Sequence, residues 1–205
     1  MTSIESVTLD VTDLAAAERF YADAFGLHSQ VRLRAADAPS SGFRGYTLSL
    51  TVAQPATASG FINAALAAGA TSLKPAAKSL WGFGGVVQAP DGAIWKVATS
   101  NKKDTGPATR DIDEIVLLLG ASDVAASKKC YVEHSIAVAK SFGRTYVQFA
   151  LPSSPIQLGL YGHRALAKDA GVPAEGTGSH RITINGTDGS FVDPDGFAWE
   201  STSVK

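Results

Sequence analysis

Two stretches of the 205-residue chain carry the same turn in the same company, "APDGAIWK" at 89–96 and "DPDGFAWE" at 193–200. In both, Pro-Asp-Gly is followed by two residues and then a tryptophan, Trp95 or Trp199. Proline presets φ at the first corner, aspartate tolerates the second, and glycine takes the left-handed position, so any hairpin could use this turn. The constraint comes from a second echo. "TDLAAAERFYADAFGL" (12–27) resembles "SDVAASKKCYVEHSI" (122–136), each opening on an acid, Asp13 or Asp123, placed to cap a helix. Each follows a strand-like run, "SVTLDV" or "EIVLLLG". Self-similarity at a spacing of roughly a hundred residues, reaching from strand and capped helix to closing turn, marks a unit written twice.

Between these anchors the two copies diverge. In the first, "GYTLSLTV" (45–52) alternates with period two and predicts a strand, and "TASGFINAALAAGA" (57–70) predicts a helix ending near Gly69. "TSLKPAAKS", "GGVVQ" and "AIWKVAT" follow as strands. In the second, "RTYVQFALPSSPIQLGLYG" (144–162) reads as two strands around a Pro/Ser turn, "RALAKDAG" (164–171) as a short helix and "SHRITING" (179–186) as a strand. The polar, Gly- and Pro-bearing segment 101–110 is the expected linker, separating one domain at 1–100 from another at 111–205. The fold class expected is α+β with mostly antiparallel sheets.

Composition bears mainly on what the chain does not do. A net charge of −1 leaves no basic footprint for nucleic acid or an anionic membrane. The single cysteine, Cys130, excludes an internal disulfide and a Cys-rich metal site. The opening "MTSIESVTLDV" has neither the basic nor the apolar region of a secretion signal, and no run approaches the length of a membrane span, so a cytoplasmic protein is expected. Dinucleotide, Walker, nucleophile-elbow and HExxH signatures are missing from the sequence.

The strand, the "D-L/V-x-A" helix opening, and the later "DPDG" before a strand ending in Glu200 together resemble the vicinal oxygen chelate superfamily, which includes glyoxalases, bleomycin-resistance proteins and extradiol dioxygenases. The resemblance covers nearly the whole chain and is nearest to two-domain glyoxalase-like proteins. It implies two tandem glyoxalase-like domains built from βαβββ modules, with curved sheets around a cleft. In metal-dependent members, His or Glu at four strand positions holds a divalent ion that polarises neighbouring substrate oxygens.

Carried over residue by residue, the resemblance disqualifies the first copy, where Ser6, a residue near Thr47, and Lys96 occupy those positions. The second copy offers Glu114, Gln157, His180 and Glu200 for a divalent metal (Zn, Ni, Mn or Fe), with Glu200 or Glu114 also able to shuttle a proton as catalytic groups. Glu114 depends on register: it takes the first-strand position if the one or two extra residues lie in "GASD", and Val116 takes it if they bulge elsewhere. Bland roles stand beside these: Glu200 as a solvated acid near the end of the chain, and His180 as a hydrogen-bonded core histidine. Two functions follow from different classes. One is a glyoxalase-type lyase or isomerase acting on a small oxygenated metabolite. The other is a metal-free module that binds a small molecule or drug, with Trp81, Phe83, Tyr161 and Trp199 as candidate pocket walls. A small-molecule ligand is the partner expected, on a monomer or homodimer.

Overall fold

Two of the helices begin where an acid caps them. In the computed structural model, which describes residues 2–187 and 189–202, Asp13 accepts a hydrogen bond from the Ala16 amide at 2.9 Å. Asp123 accepts from the Ala125 and Ala126 amides at 2.9 and 3.3 Å. In order along the first half come β1 (Ile4–Val11), α1 (Leu14–Ala24), β2 (Val31–Ala35), β3 (Ser40–Gly42), β4 (Tyr46–Thr51), α2 (Pro55–Ala67), β5 (Thr71–Ser79), β6 (Gly82–Gln88) and β7 (Ile94–Thr99). The second half holds β8 (Glu114–Ala121), α3 (Val124–Glu133), β9 (Val138–Phe142), β10 (Tyr146–Phe149), β11 (Ile156–Gly162), α4 (His163–Ala170), β12 (Gly176–Gly178), β13 (Ile182–Gly186), β14 (Phe191–Val192) and β15 (Ala198–Ser201). None of the described helices is long and apolar enough to cross a membrane.

The fold is α+β, with two main sheets that each draw on both halves of the chain. An eight-stranded sheet runs β5-β6-β7-β4-β8-β11-β10-β9, and a five-stranded sheet runs β14-β15-β13-β1-β2. The larger is two βαβββ units side by side, β4-α2-β5-β6-β7 and β8-α3-β9-β10-β11, joined where β4 and β8 pair antiparallel. In each unit the first strand lies parallel to the last, β4 with β7 and β8 with β11. The smaller sheet is an abbreviated version, with β13 parallel to β15, β1 parallel to β2, and β1 antiparallel to β13 at the join. The chain thus pairs its outer segments with each other and its inner segments with each other. The division at 101–110 is one of chain order, and hydrogen-bonded sheets cross it. That segment is itself strapped down: the Gln54 side chain accepts from the Thr105 and Gly106 amides and donates to the Pro107 carbonyl.

Alternation along the strands sorts the faces. Val7, Leu9, Leu48, Leu50, Trp95, Val97, Leu117, Leu119, Ile184 and Trp199 enter one continuous core that also takes the buried sides of α1, α2 and α3. Their neighbours face the other way. On the five-stranded sheet that second face is polar, and Asn185 donates to Ser6 and Thr8 at 3.0 and 2.9 Å. On the eight-stranded sheet it is partly covered by α4, whose Leu166, Ala167 and Ala170 form a second small core with Phe43, Val86 and Ile94.

The repeated turns are docked onto the repeated helices. Tyr21 of α1 donates to the Asp91 carboxylate at 2.7 Å, and Tyr131 of α3 donates to the Asp193 carboxylate, also at 2.7 Å. Gly92 and Gly196 take the left-handed position at φ 92° and 94°. Trp95 then packs on Phe25 and Tyr21, and Trp199 on Phe191 and Tyr131.

Burial, followed by the neighbouring aspartate, pushes the Tyr21 and Tyr131 phenols well above their ordinary value, and burial does the same to Tyr46. An unfolded chain ionises tyrosine near pH ~10. Because the folded values lie higher, the stabilisation linked to these three phenols is complete below that pH and is lost as pH rises beyond it. Phenolate absorbance from the three buried tyrosines should therefore appear together with loss of near-ultraviolet circular dichroism. Smooth titration of all five tyrosines in a folded protein would contradict this.

Candidate functional site

The four positions expected to hold a metal are divided between the two sheets. Across the eight-stranded sheet, partners in register give one row: Lys74, Val86, Lys96, Ser49, Val116 and Gln157. Val116, not Glu114, stands in that row. Glu114 lies two residues away, opposite Thr51 and exposed. The Gln157 amide turns aside to donate to the Leu151 and Ser154 carbonyls at 3.0 and 3.1 Å. On the five-stranded sheet the corresponding row is Ser6, Asn185 and Glu200.

His180 precedes β13 and is out of that row. Its Nδ1 is 2.6 Å from the Arg44 carbonyl, its Nε2 is 3.0 Å from the Asp195 carbonyl, and its ring stacks on Phe197 at 4.0 Å. Both ring nitrogens are engaged by acceptors, so the bland role, a hydrogen-bonded histidine, describes its contacts. Glu200 faces solvent 3.8 Å from Arg34, whose guanidinium is held by Asp10 at 2.7 Å and by Thr183 at 3.1 Å. These groups border a shallow polar cleft of about 490 Å³.

A more apolar cleft of about 500 Å³ lies on the eight-stranded sheet beside α4. Ala77, Gly84 and Ala98 are register partners across β5, β6 and β7 and form its floor. The floor is bare because nothing larger fits at its centre: a Cβ on Gly84 would lie 2.6 Å from the Val97 carbonyl oxygen. Trp81, 87 % exposed at the β5–β6 turn, stands at the border. Opposite it is the last turn of α4. The Lys96 ammonium meets the Asp169 carboxylate at 2.9 Å, and Lys74 donates to the Lys168 and Asp169 carbonyls at 3.0 and 2.5 Å. A cation at those carbonyls also complements the negative end of the helix.

Of the expected pocket walls, Trp81 and Phe83 border this cleft, although Phe83 packs mainly against the large core. Tyr161 lies against the small core beneath α4, and Trp199 is buried with 2 % exposure as an anchor of its turn. Sequence reasoning missed Lys74, Asp169 and the small-residue floor. The sequence signal for the floor was the glycine-rich run "GFGGVV". For the Lys96–Asp169 pair there was none, because its two members belong to different halves.

No protein-family model matches the sequence, and neither does any curated protein. Solved structures do. Glyoxalase I from Zea mays superposes with a TM-score of 0.64 at 14% identity, covering 98% of this chain and 92% of the maize protein. The chain has the glyoxalase fold. A Bacillus subtilis protein with a provisional dioxygenase assignment gives a TM-score of 0.59 at 10% identity, covering 97% and 84% of the two chains. The glyoxalase fold is the one that the strand, helix and turn pattern implied.

The residues in the two sheet rows that contain the expected metal positions do not suit a metal. The larger sheet presents an ammonium, a hydroxyl, an isopropyl group and an amide, from Lys96, Ser49, Val116 and Gln157. The smaller presents a hydroxyl, an amide and one carboxylate, from Ser6, Asn185 and Glu200. Divalent ions of the expected kinds take imidazole and carboxylate donors in sets of three or more. Among the described residues, no three His, Cys, Asp or Glu side chains are grouped to hold an ion.

Proposed function

We propose that this chain is a metal-free, glyoxalase-like small-molecule-binding protein, and that its ligand is a flat, largely apolar compound taken up beside α4. The observation that carries this is the pairing of a bare Ala77–Gly84–Ala98 floor with an exposed tryptophan in a cleft of about 500 Å³. Concave apolar space of a few hundred cubic ångströms with a few polar groups at its border is the usual form of a small-molecule site. An indole left in water at 87 % exposure gains by covering a planar ring. The donor sets described above supply no place for the metal-assisted lyase chemistry that Glu114 and Glu200 were expected to serve.

The test uses the positions of the tryptophans. Trp95 and Trp199 are buried, so emission that solutes can quench comes from Trp81. Titration with bicyclic aromatic compounds should quench or shift that emission with a saturable curve. Treatment with EDTA should leave the curve unchanged, and Ala77→Leu, which fills the floor from an exposed position, should weaken binding about tenfold or more. Binding abolished by EDTA and restored by a divalent ion would overturn the metal-free proposal.

A further inference from the structure

We infer that the ligand of this cleft carries an acid group, and that Asp169 holds the place of that group in the free protein. The inference rests on the site proposed above. Lys74, Lys78, Lys96 and Asp169 are the charged residues that border the cleft, so its charge is positive even with Asp169 counted. Lys74 is committed to the carbonyl end of α4. Lys96 is not built into the backbone in that way. It stands in the row that crosses the sheet, and its partner is one carboxylate at 2.9 Å from the last turn of α4.

Both members of the pair are partly open to solvent, with side-chain exposures of 36 % and 43 %. Such a pair gains little from its own contact and can be exchanged cheaply. A planar acid lying on the Ala77–Gly84–Ala98 floor can therefore bring its own carboxylate to Lys96 and release Asp169 to water. The ring then supplies apolar burial against the floor and Trp81, while the acid supplies a charge-assisted hydrogen bond. Lysine at this position, where the fold can carry a metal-ligating acid, becomes the recognition group for an anionic ligand.

The experiment compares 2-naphthoate with its neutral isostere 2-naphthamide on the full chain, by quenching of Trp81 emission. Naphthoate should bind about tenfold more tightly than naphthamide, and the advantage should shrink as salt rises. Lys96→Met should remove the advantage and leave naphthamide binding unchanged. Asp169→Asn should tighten naphthoate up to about fivefold and leave naphthamide unchanged, since it removes the internal competitor. Melting curves of both variants should match the parent, which separates loss of recognition from displacement of α4. Equal binding of acid and amide across all three proteins would overturn the inference while leaving the cleft as a ligand site. Failure of both probes to bind would overturn the inference together with the site it rests on.

Discussion

Asp193→Ala is expected to lower the free energy of unfolding by about 3 kcal/mol, the cost of leaving several buried donors unpaired. The carboxylate accepts from the Tyr131 hydroxyl at 2.7 Å and from the Asp195 and Phe197 amides at 2.9 Å each, and the residue is 5 % exposed. Alanine removes all three acceptor contacts without admitting bulk water. Asparagine keeps an acceptor and should recover roughly half of the loss. Burial outweighs the Tyr131 hydrogen bond and holds this carboxyl above the usual range. Its ionisation-linked stability is therefore greatest in acid and is lost as pH rises through the raised value, so the deficit of the asparagine variant should narrow from acid to neutral pH. Urea unfolding at constant m-value measures each difference. A loss below about 1 kcal/mol for alanine would mean that the turn is held by its backbone and not by its aspartate.

Trp95→Ala should cost still more, about 4 kcal/mol, as large aromatic deletions in well-packed cores do. The indole is fully buried, with Phe25 at 4.7 Å and Tyr21 at 5.8 Å between ring centroids. Those two rings come from the end of α1, whereas Trp95 lies on β7, so the cavity would open between the helix that connects two strands of the smaller sheet and a strand of the larger. Trp199→Ala removes the equivalent anchor against Tyr131 and Phe191 and should cost a similar amount. Trp81→Ala, at a side chain that is mostly in water, should change stability by less than about 0.5 kcal/mol while it weakens ligand binding. The three tryptophans thus separate fold from function. A destabilisation at Trp81 comparable to that at Trp95 would show that the exposed indole is a structural contact.

Much of this architecture was legible because it is local. Asp13, Asp123 and the two Pro-Asp-Gly turns announce helix starts and strand entries within a few residues, and the structure places them there. The short strands β2, β3, β9, β12 and β14 were not foreseen. "VRLRA" and "VAKSF" carry weak alternation, with one residue of the first buried and none of the second, so little hydrophobic pattern exists to read. The site was less legible for a different reason. Ser6 and Glu200 belong to one sheet, with His180 just ahead of its strand β13, and Lys96, Ser49, Val116 and Gln157 belong to the other, a grouping set by which strands pair over long separations. Assigning ligands to halves of the chain therefore mixed two surfaces. Register is likewise a long-range property: β4–β8 pairing sets Val116 opposite Ser49 and Glu114 opposite Thr51.

The crossed pairing of outer with outer and inner with inner strands has a mechanical consequence. Each half contributes to both sheets, and each tyrosine–aspartate contact then ties the two sheets together within one half. The links form a closed circuit: sheet, clamp, sheet, clamp. Removing any one segment leaves strands without partners in the opposite half of the chain. The two halves of the sequence, which share their turns and helix openings, are in this way joined through both sheets.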